Sequence, residues 1–149
     1  MSVKPIPDGY HTVTPFLLVK DAKKLIEFLK EAFGATEKSC HQLPDGKIMH
    51  AELHMGDSII MMGEANDRWP PVPCMLYLYV EDVDSVYKKA VQAGGRSLRE
   101  PTTEFYGDRS AGVLDLEGNQ WWIATHVEDV SDEEMKRRQE KMAQEMAHK

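Results

Sequence analysis

One supersecondary unit occurs twice in this chain. Residues 76–95 (LYLYVEDVDSVYKKAVQAGG) read as an apolar strand, an acidic turn and an amphipathic helix closed by two glycines, and residues 17–34 (LLVKDAKKLIEFLKEAFG) follow the same plan. Val19 matches Val80, Asp21 Asp82, Leu25 Val86, Leu29 Ala90, Ala32 Ala93 and Gly34 Gly95, every pair separated by 61 positions. A constant offset across a strand and a helix is the signature of an internal duplication. It restricts the fold to one that can be built from two copies of a single unit.

The first copy reads strand, helix, strand, strand, strand. Residues 11–20 form an edge-type strand around Pro15, and Asp21 caps a helix over 22–33. In that helix Ala22, Leu25, Ile26, Leu29, Ala32 and Phe33 make one apolar stripe opposite Lys23, Lys24, Glu27, Lys30 and Glu31. Gly34 ends it. Strands follow over 35–43, 47–55 and 58–62, with turns at Pro44-Asp45-Gly46 and Gly56-Asp57. The proline-rich stretch 66–73 (NDRWPPVP) divides the halves. The second copy has a strand over 75–80, a helix capped by Asp82 or Asp84, and strands over 109–115 and 119–123. The same offset sets 109–115 against 48–54 and 119–123 against 58–62. From Ser131 a charged tail helix runs to the C-terminus. Ser131 and Glu134 have capping-box spacing, and Met135, Met142 and Met146 form a narrow stripe.

The fold class expected is α+β: tandem βαβββ repeats at about 10–65 and 74–127 forming one domain over 1–130, plus a helix over 131–149. Forty-two per cent of the residues are hydrophobic, enough to bury a core. No run approaches a membrane span or the apolar centre of a signal peptide, so a cytoplasmic protein with no membrane partner is expected. A net charge of −7 with no basic cluster argues against nucleic acid. Cys40 and Cys74 lack metal or redox spacing and read as free thiols.

Two βαβββ units, with the phrases PDGKIMHAELHMGDS, YVEDVD and DLEGNQWWIATHVEDV, resemble the vicinal oxygen chelate superfamily. That superfamily holds glyoxalase I, bleomycin-resistance proteins, fosfomycin-resistance enzymes and extradiol dioxygenases, and the phrases are most similar to its PhnB-like branch. The resemblance implies paired half-barrels around a cavity, a homodimer, and a metal held by residues of the first and last strand of each unit. Carried over by register, those four positions are Thr14, Met61, Met75 and Trp122. None is a His, Glu or Asp, so no metal cofactor of the family type is expected, and the metal-dependent activities of the superfamily fall into doubt.

Alternation along the strands places Phe16, Leu18, Met61, Met75, Tyr77, Tyr79, Gln120 and Trp122 on the cavity face. That lining suits a small hydrophobic or planar ligand, and it would equally serve as plain filling of the barrel. His50, Glu52 and His54 share one strand face. His50 with Glu52 could act as an acid–base pair, or His50, Glu52 and His54 could supply part of a displaced divalent-metal site, with Asp108 or His41 as a third ligand. Arg109 could clamp an anionic group from the cavity wall, paired with Glu52 or Asp108, or pair with Asp108 at a turn. His11, His126 and His148 carry no role in this reading. Three functions follow: a metal-free cavity that binds a small hydrophobic or aromatic molecule; a lyase or dioxygenase-type enzyme using a displaced metal or the His50–Glu52 pair; or a structural or regulatory homodimer with a filled cavity. The ligand-contact candidates are Phe16, His50, Glu52, Met61, Met75, Tyr77, Tyr79, Arg109 and Trp122.

Overall fold

In the computed structural model, residues 2–148 are described; Met1 and Lys149, the latter the last residue of the tail helix expected over 131–149, lie outside the described residues. These residues form β1 (Phe16–Val19), α1 (Ala22–Phe33), β2 (Thr36–Gln42), β3 (Ile48–Met55), β4 (Ser58–Glu64), β5 (Met75–Tyr79), α2 (Val83–Gln92), β6 (Arg96–Thr103), β7 (Asp108–Leu114), β8 (Gln120–His126) and α3 (Asp132–Ala147). The first sheet has the order β1-β4-β3-β2 and the second β5-β8-β7-β6. The duplication is visible in the pairing itself: Phe16 stands opposite Met61 and, 61 residues on, Tyr77 stands opposite Trp122.

Local chemistry sets the boundaries. The Asp21 side chain accepts from the Lys24 amide, and Asp82 does the same for Ser85, so each helix starts on a satisfied donor. Asp84, the other candidate cap, is engaged elsewhere. Gly34 sits at φ 68°, a left-handed cap that a side chain would strain. Strand β1 is shorter than expected: residues 11–15 stay outside the ladder, and Pro15 can contribute only its carbonyl, which accepts from Met61.

The helix-facing sides of both sheets meet in one core. Leu17, Val19, Leu53 and Met62 from the first sheet are buried with Val113, Trp121 and Ile123 from the second. Helix α1 bridges them, since the Phe33 ring lies 5.3 Å from that of Trp121. The Glu117 carboxylate, in the β7–β8 turn, accepts from the Asp21 amide at 2.6 Å and the Lys20 amide at 3.2 Å and ties the second unit to the start of α1. The opposite faces of the sheets are left open. Phe16 is 51% exposed and Tyr79 66%. The half-barrels are present, and within one chain their inner faces are not covered.

One part of the repeat differs from expectation. Ala51 stands opposite Met62, and Ala111 opposite Ile123. Met62 and Ile123 keep the 61-residue offset, whereas Ala51 and Ala111 are 60 apart. The β3–β4 turn is the tight Gly56-Asp57 pair, and the β7–β8 turn is longer, with Leu114 opposite Gln120. The extra length is organised by buried Asp115, which accepts from the Glu117 and Asn119 amides, Asn119 Nδ2 and Trp121 Nε1. Because side chains alternate, this one-residue slip reverses which residues of β7 point to which face. Ser110 and Gly112, not Ala111 and Val113, share the open face with Asp108.

Candidate functional site

The open face of the second sheet carries the densest chemistry. Its centre is kept low by small residues: Ser110 is opposite Ala124, and Gly112 opposite Trp122. The Trp122 indole lies flat across Gly112, so close that a Cβ there would sit 2.7 Å from the ring. Above the indole lies the Arg99 guanidinium, 5.1 Å from the ring centre. Arg99 donates from Nη2 to Ser110 Oγ at 2.6 Å and pairs through Nη1 with Glu104 at 3.1 Å. Its buried Nε has no partner among the described residues.

Beside this row stands a buried carboxylate. Asp108 is 4% exposed, and three donors converge on it. Tyr77 and Tyr79 both donate to Oδ2, at 2.8 and 3.0 Å, and His126 Nδ1 lies 2.9 Å from Oδ1. Burial alone would push the Asp108 carboxyl up, but the bonds from His126, Tyr77 and Tyr79 outweigh it and hold the group below the usual carboxylate range. Burial, then the bond to Asp108, drive the Tyr77 phenol far above its ordinary value, so it stays protonated. The His126 imidazole is raised by Asp108 and by Asp129, which its Nε2 meets at 2.7 Å. The two tyrosine rings, 5.4 Å apart and inclined by 62°, are thus anchored at their hydroxyls while their faces stay open.

The outer edge of β5 is also open. A cleft of about 750 Å³ runs along it, closed on the far side by His11, Thr14, Pro15, Met55 and Ile59. The equivalent edge of β1 is partly capped, because Val72 of the linker donates to the Leu18 carbonyl. Tyr77 and Tyr79 therefore stand where the cleft and the open sheet face adjoin.

The first sheet's open face carries a second, smaller polar group. His50 Nε2 lies 2.9 Å from Glu52 Oε2, so these two side chains are in hydrogen-bond contact. Tyr10, from the leading arm, donates to the other oxygen of Glu52, and Lys38 lies 5.2 Å from the Tyr10 ring centre. The Tyr10 bond, opposed by partial burial and aided by His50, keeps Glu52 below the carboxylate range. Phe16 leans on His50 at 5.8 Å. His54 is exposed beyond the pair.

Several expected placements change. Arg109 does not line the open face. It points toward α2, where it makes a two-pronged ion pair with Asp84 at 2.9 and 2.8 Å, and so joins neither Glu52 nor Asp108. The register slip is the reason. His54 does not join His50 and Glu52, and Asp108 and His41 do not complete a triad with them; among the described residues no three His, Cys, Asp or Glu side chains gather as a metal-binding group. Thr14, Met61, Met75 and Trp122 offer a hydroxyl, two thioethers and an indole, a donor set unsuited to the divalent ions of the superfamily. The family's metal does not fit these residues. Sequence reasoning passed over His126, Arg99 and Ser110. The signal for His126 was its place on β8, alternating with Trp122 and Ala124.

Two four-stranded sheets, each a βαβββ unit with its helix on one side, define the class of this molecule, and sequence comparison agrees. The pattern of the Glyoxalase/Bleomycin resistance protein/Dioxygenase superfamily matches residues 10–123, and the chain belongs to that superfamily. A PhnB protein from Bacillus cereus shares the fold (TM-score 0.63, 19% identity, 77% of this chain and 99% of that one). TioX from Micromonospora sp. ML1 shares the fold with a TM-score of 0.67 at 24% identity, over 78% of this chain and 99% of TioX. An uncharacterized protein of Mycobacterium bovis is 30% identical over 137 residues, covering 83% of this chain and 88% of the relative. No helix among the described residues is long and apolar enough to cross a membrane.

Proposed function

We propose that this protein binds a small planar or aromatic molecule against the open face of the second sheet, without a metal of the superfamily type. The observation that carries this reading is the pair of exposed tyrosines pinned by a buried carboxylate. Tyr77 and Tyr79 expose 43% and 66% of their surface and yet are fixed in orientation by Asp108. Pre-fixed aromatic rings lose little freedom on binding, and Trp122 extends the surface. Met75 and the floor of Ser110, Gly112 and Ala124 complete a shallow site of the type that takes flat ligands. The protein works as a homodimer in this reading, because each open face needs a second surface to enclose a ligand.

The test is thermal stabilisation by a panel of bicyclic aromatics, with isothermal titration of Zn²⁺, Mn²⁺ and Fe²⁺ in parallel. Stabilisation by aromatics that is lost in Tyr77→Ala, with no stoichiometric metal binding, is the expected result, since a ligand selective for the native state raises the melting temperature. Stoichiometric metal would overturn the metal-free reading.

A second reading draws on His50 and Glu52. A carboxylate that orients an imidazole is the arrangement of a general base, and Nδ1 of His50 is not used by Glu52. Under this reading His50→Ala abolishes any turnover found with carbonyl or activated C–H substrates; unchanged turnover removes the pair from consideration.

A further inference from the structure

Resting on the aromatic-ligand reading, we propose that the second sheet's open face is selective for aromatic molecules that present a hydrogen-bond donor, such as a ring N–H, and discriminates against aromatic carboxylates. A tyrosine hydroxyl has one proton to give and two lone pairs to receive with. Both phenolic protons here are committed to the same oxygen of Asp108, at 2.8 and 3.0 Å. Toward an incoming ligand the two hydroxyls therefore turn their lone pairs, and Tyr106, whose side chain also interacts with the Tyr77 hydroxyl, stands beside them.

The lock holds because Asp108 stays ionised. It is 4% exposed, and its other oxygen is taken by His126. His126 cannot swing out to serve a ligand anion without leaving both Asp108 and Asp129, which hold its two nitrogens at 2.9 and 2.7 Å. The Arg99 cation is likewise occupied, by Glu104 and Ser110. Three acids thus stand against two bases around this face, and a ligand carboxylate would meet committed cations and outward lone pairs. A ring N–H meets two acceptors whose partner protons are already placed.

The probes are indole, benzofuran and benzoate, titrated into the full-length chain and followed by the aromatic NMR resonances of Tyr77, Tyr79 and Trp122. Indole and benzofuran share shape and differ in N–H against ring oxygen. Indole is expected to bind roughly 3- to 10-fold tighter than benzofuran, the worth of one net hydrogen bond, with benzoate weakest. Asp108→Asn replaces the acceptor by a group that can itself donate to the phenols and free their protons outward. The indole preference then falls to about unity or inverts. Tyr79→Phe, a change at an exposed hydroxyl that leaves the fold intact, lowers the preference while keeping the ring. Equal affinities in the wild-type protein, benzoate binding as tightly as indole, or an unchanged preference in both variants overturns the donor rule and leaves the aromatic-ligand reading standing. Failure of all three probes to move the Tyr77, Tyr79 and Trp122 resonances overturns both.

Discussion

Asp108 shows how far one residue can organise a surface. As an isolated buried carboxylate it would be costly, and it is tolerated because three donors satisfy it. The cluster should leave a mark on stability against pH. His126 has a raised value in the folded state, so its contribution is fully present below the ordinary histidine value of about 6.5 and is lost as pH rises through the raised one. Asp108 is depressed, so its contribution is present above the ordinary value of about 3.9 and is lost as pH falls through the lower folded one. Between these limits both are charged. The melting temperature of His126→Gln should therefore fall furthest below wild type near pH 5.5, with the gap closing above neutrality; a gap that widens with pH would contradict the ion pair. Arg109 carries the complementary lesson. Its residue type suggested an anion clamp, but its position on β7 decides its face, and its pair with exposed Asp84 is of the surface kind that adds little.

At the scale of elements, the β7–β8 turn does the positioning. Asp115 is 5% exposed and collects four donors, one of them the indole N–H of Trp121 in the core. Asn119 passes the order on by accepting from the Cys74 amide at the start of β5. Asp115→Ala leaves several buried donors unpaired and should cost about 3 kcal/mol in chemical denaturation. A loss below about 1 kcal/mol would mean that water replaces the carboxylate without penalty. Helix α3 behaves differently. It buries no residue, and its attachment runs through Arg138, which donates to the Phe105 carbonyl at 2.8 Å and pairs with Glu128 and Glu134. Arg138→Ala should raise amide hydrogen exchange in α3 while leaving exchange in α1 and the sheets unchanged. Both helices of the repeat were legible to within a residue or two, because apolar stripes and aspartate caps are local signals. The first strand was less so, because residues 11–15 have strand composition but stay outside the ladder, with only the Pro15 carbonyl reaching β4.

At the scale of the molecule, the two units share one core and leave both inner faces uncovered, with Phe16, Met75, Tyr77 and Tyr79 among the exposed large side chains. Exposed apolar side chains grouped on one face mark an interaction site, and the proposed homodimer would cover them. Light scattering at micromolar concentration should give twice the 17.0 kDa chain mass, and a single-chain mass would leave the homodimer unsupported. The sequence by itself determined the duplication, the helix faces and caps, and the superfamily. All of these are patterns of residue type at short or constant spacing. The tertiary structure alone decided which face β7 turns to the open side of the sheet, and it joined Asp108, Tyr77, Tyr79 and His126 into one cluster. The physical reason is that strand faces alternate at every residue. A single added position in the β7–β8 turn, balanced by one lost before β7, reverses the face without altering composition or the repeat around it.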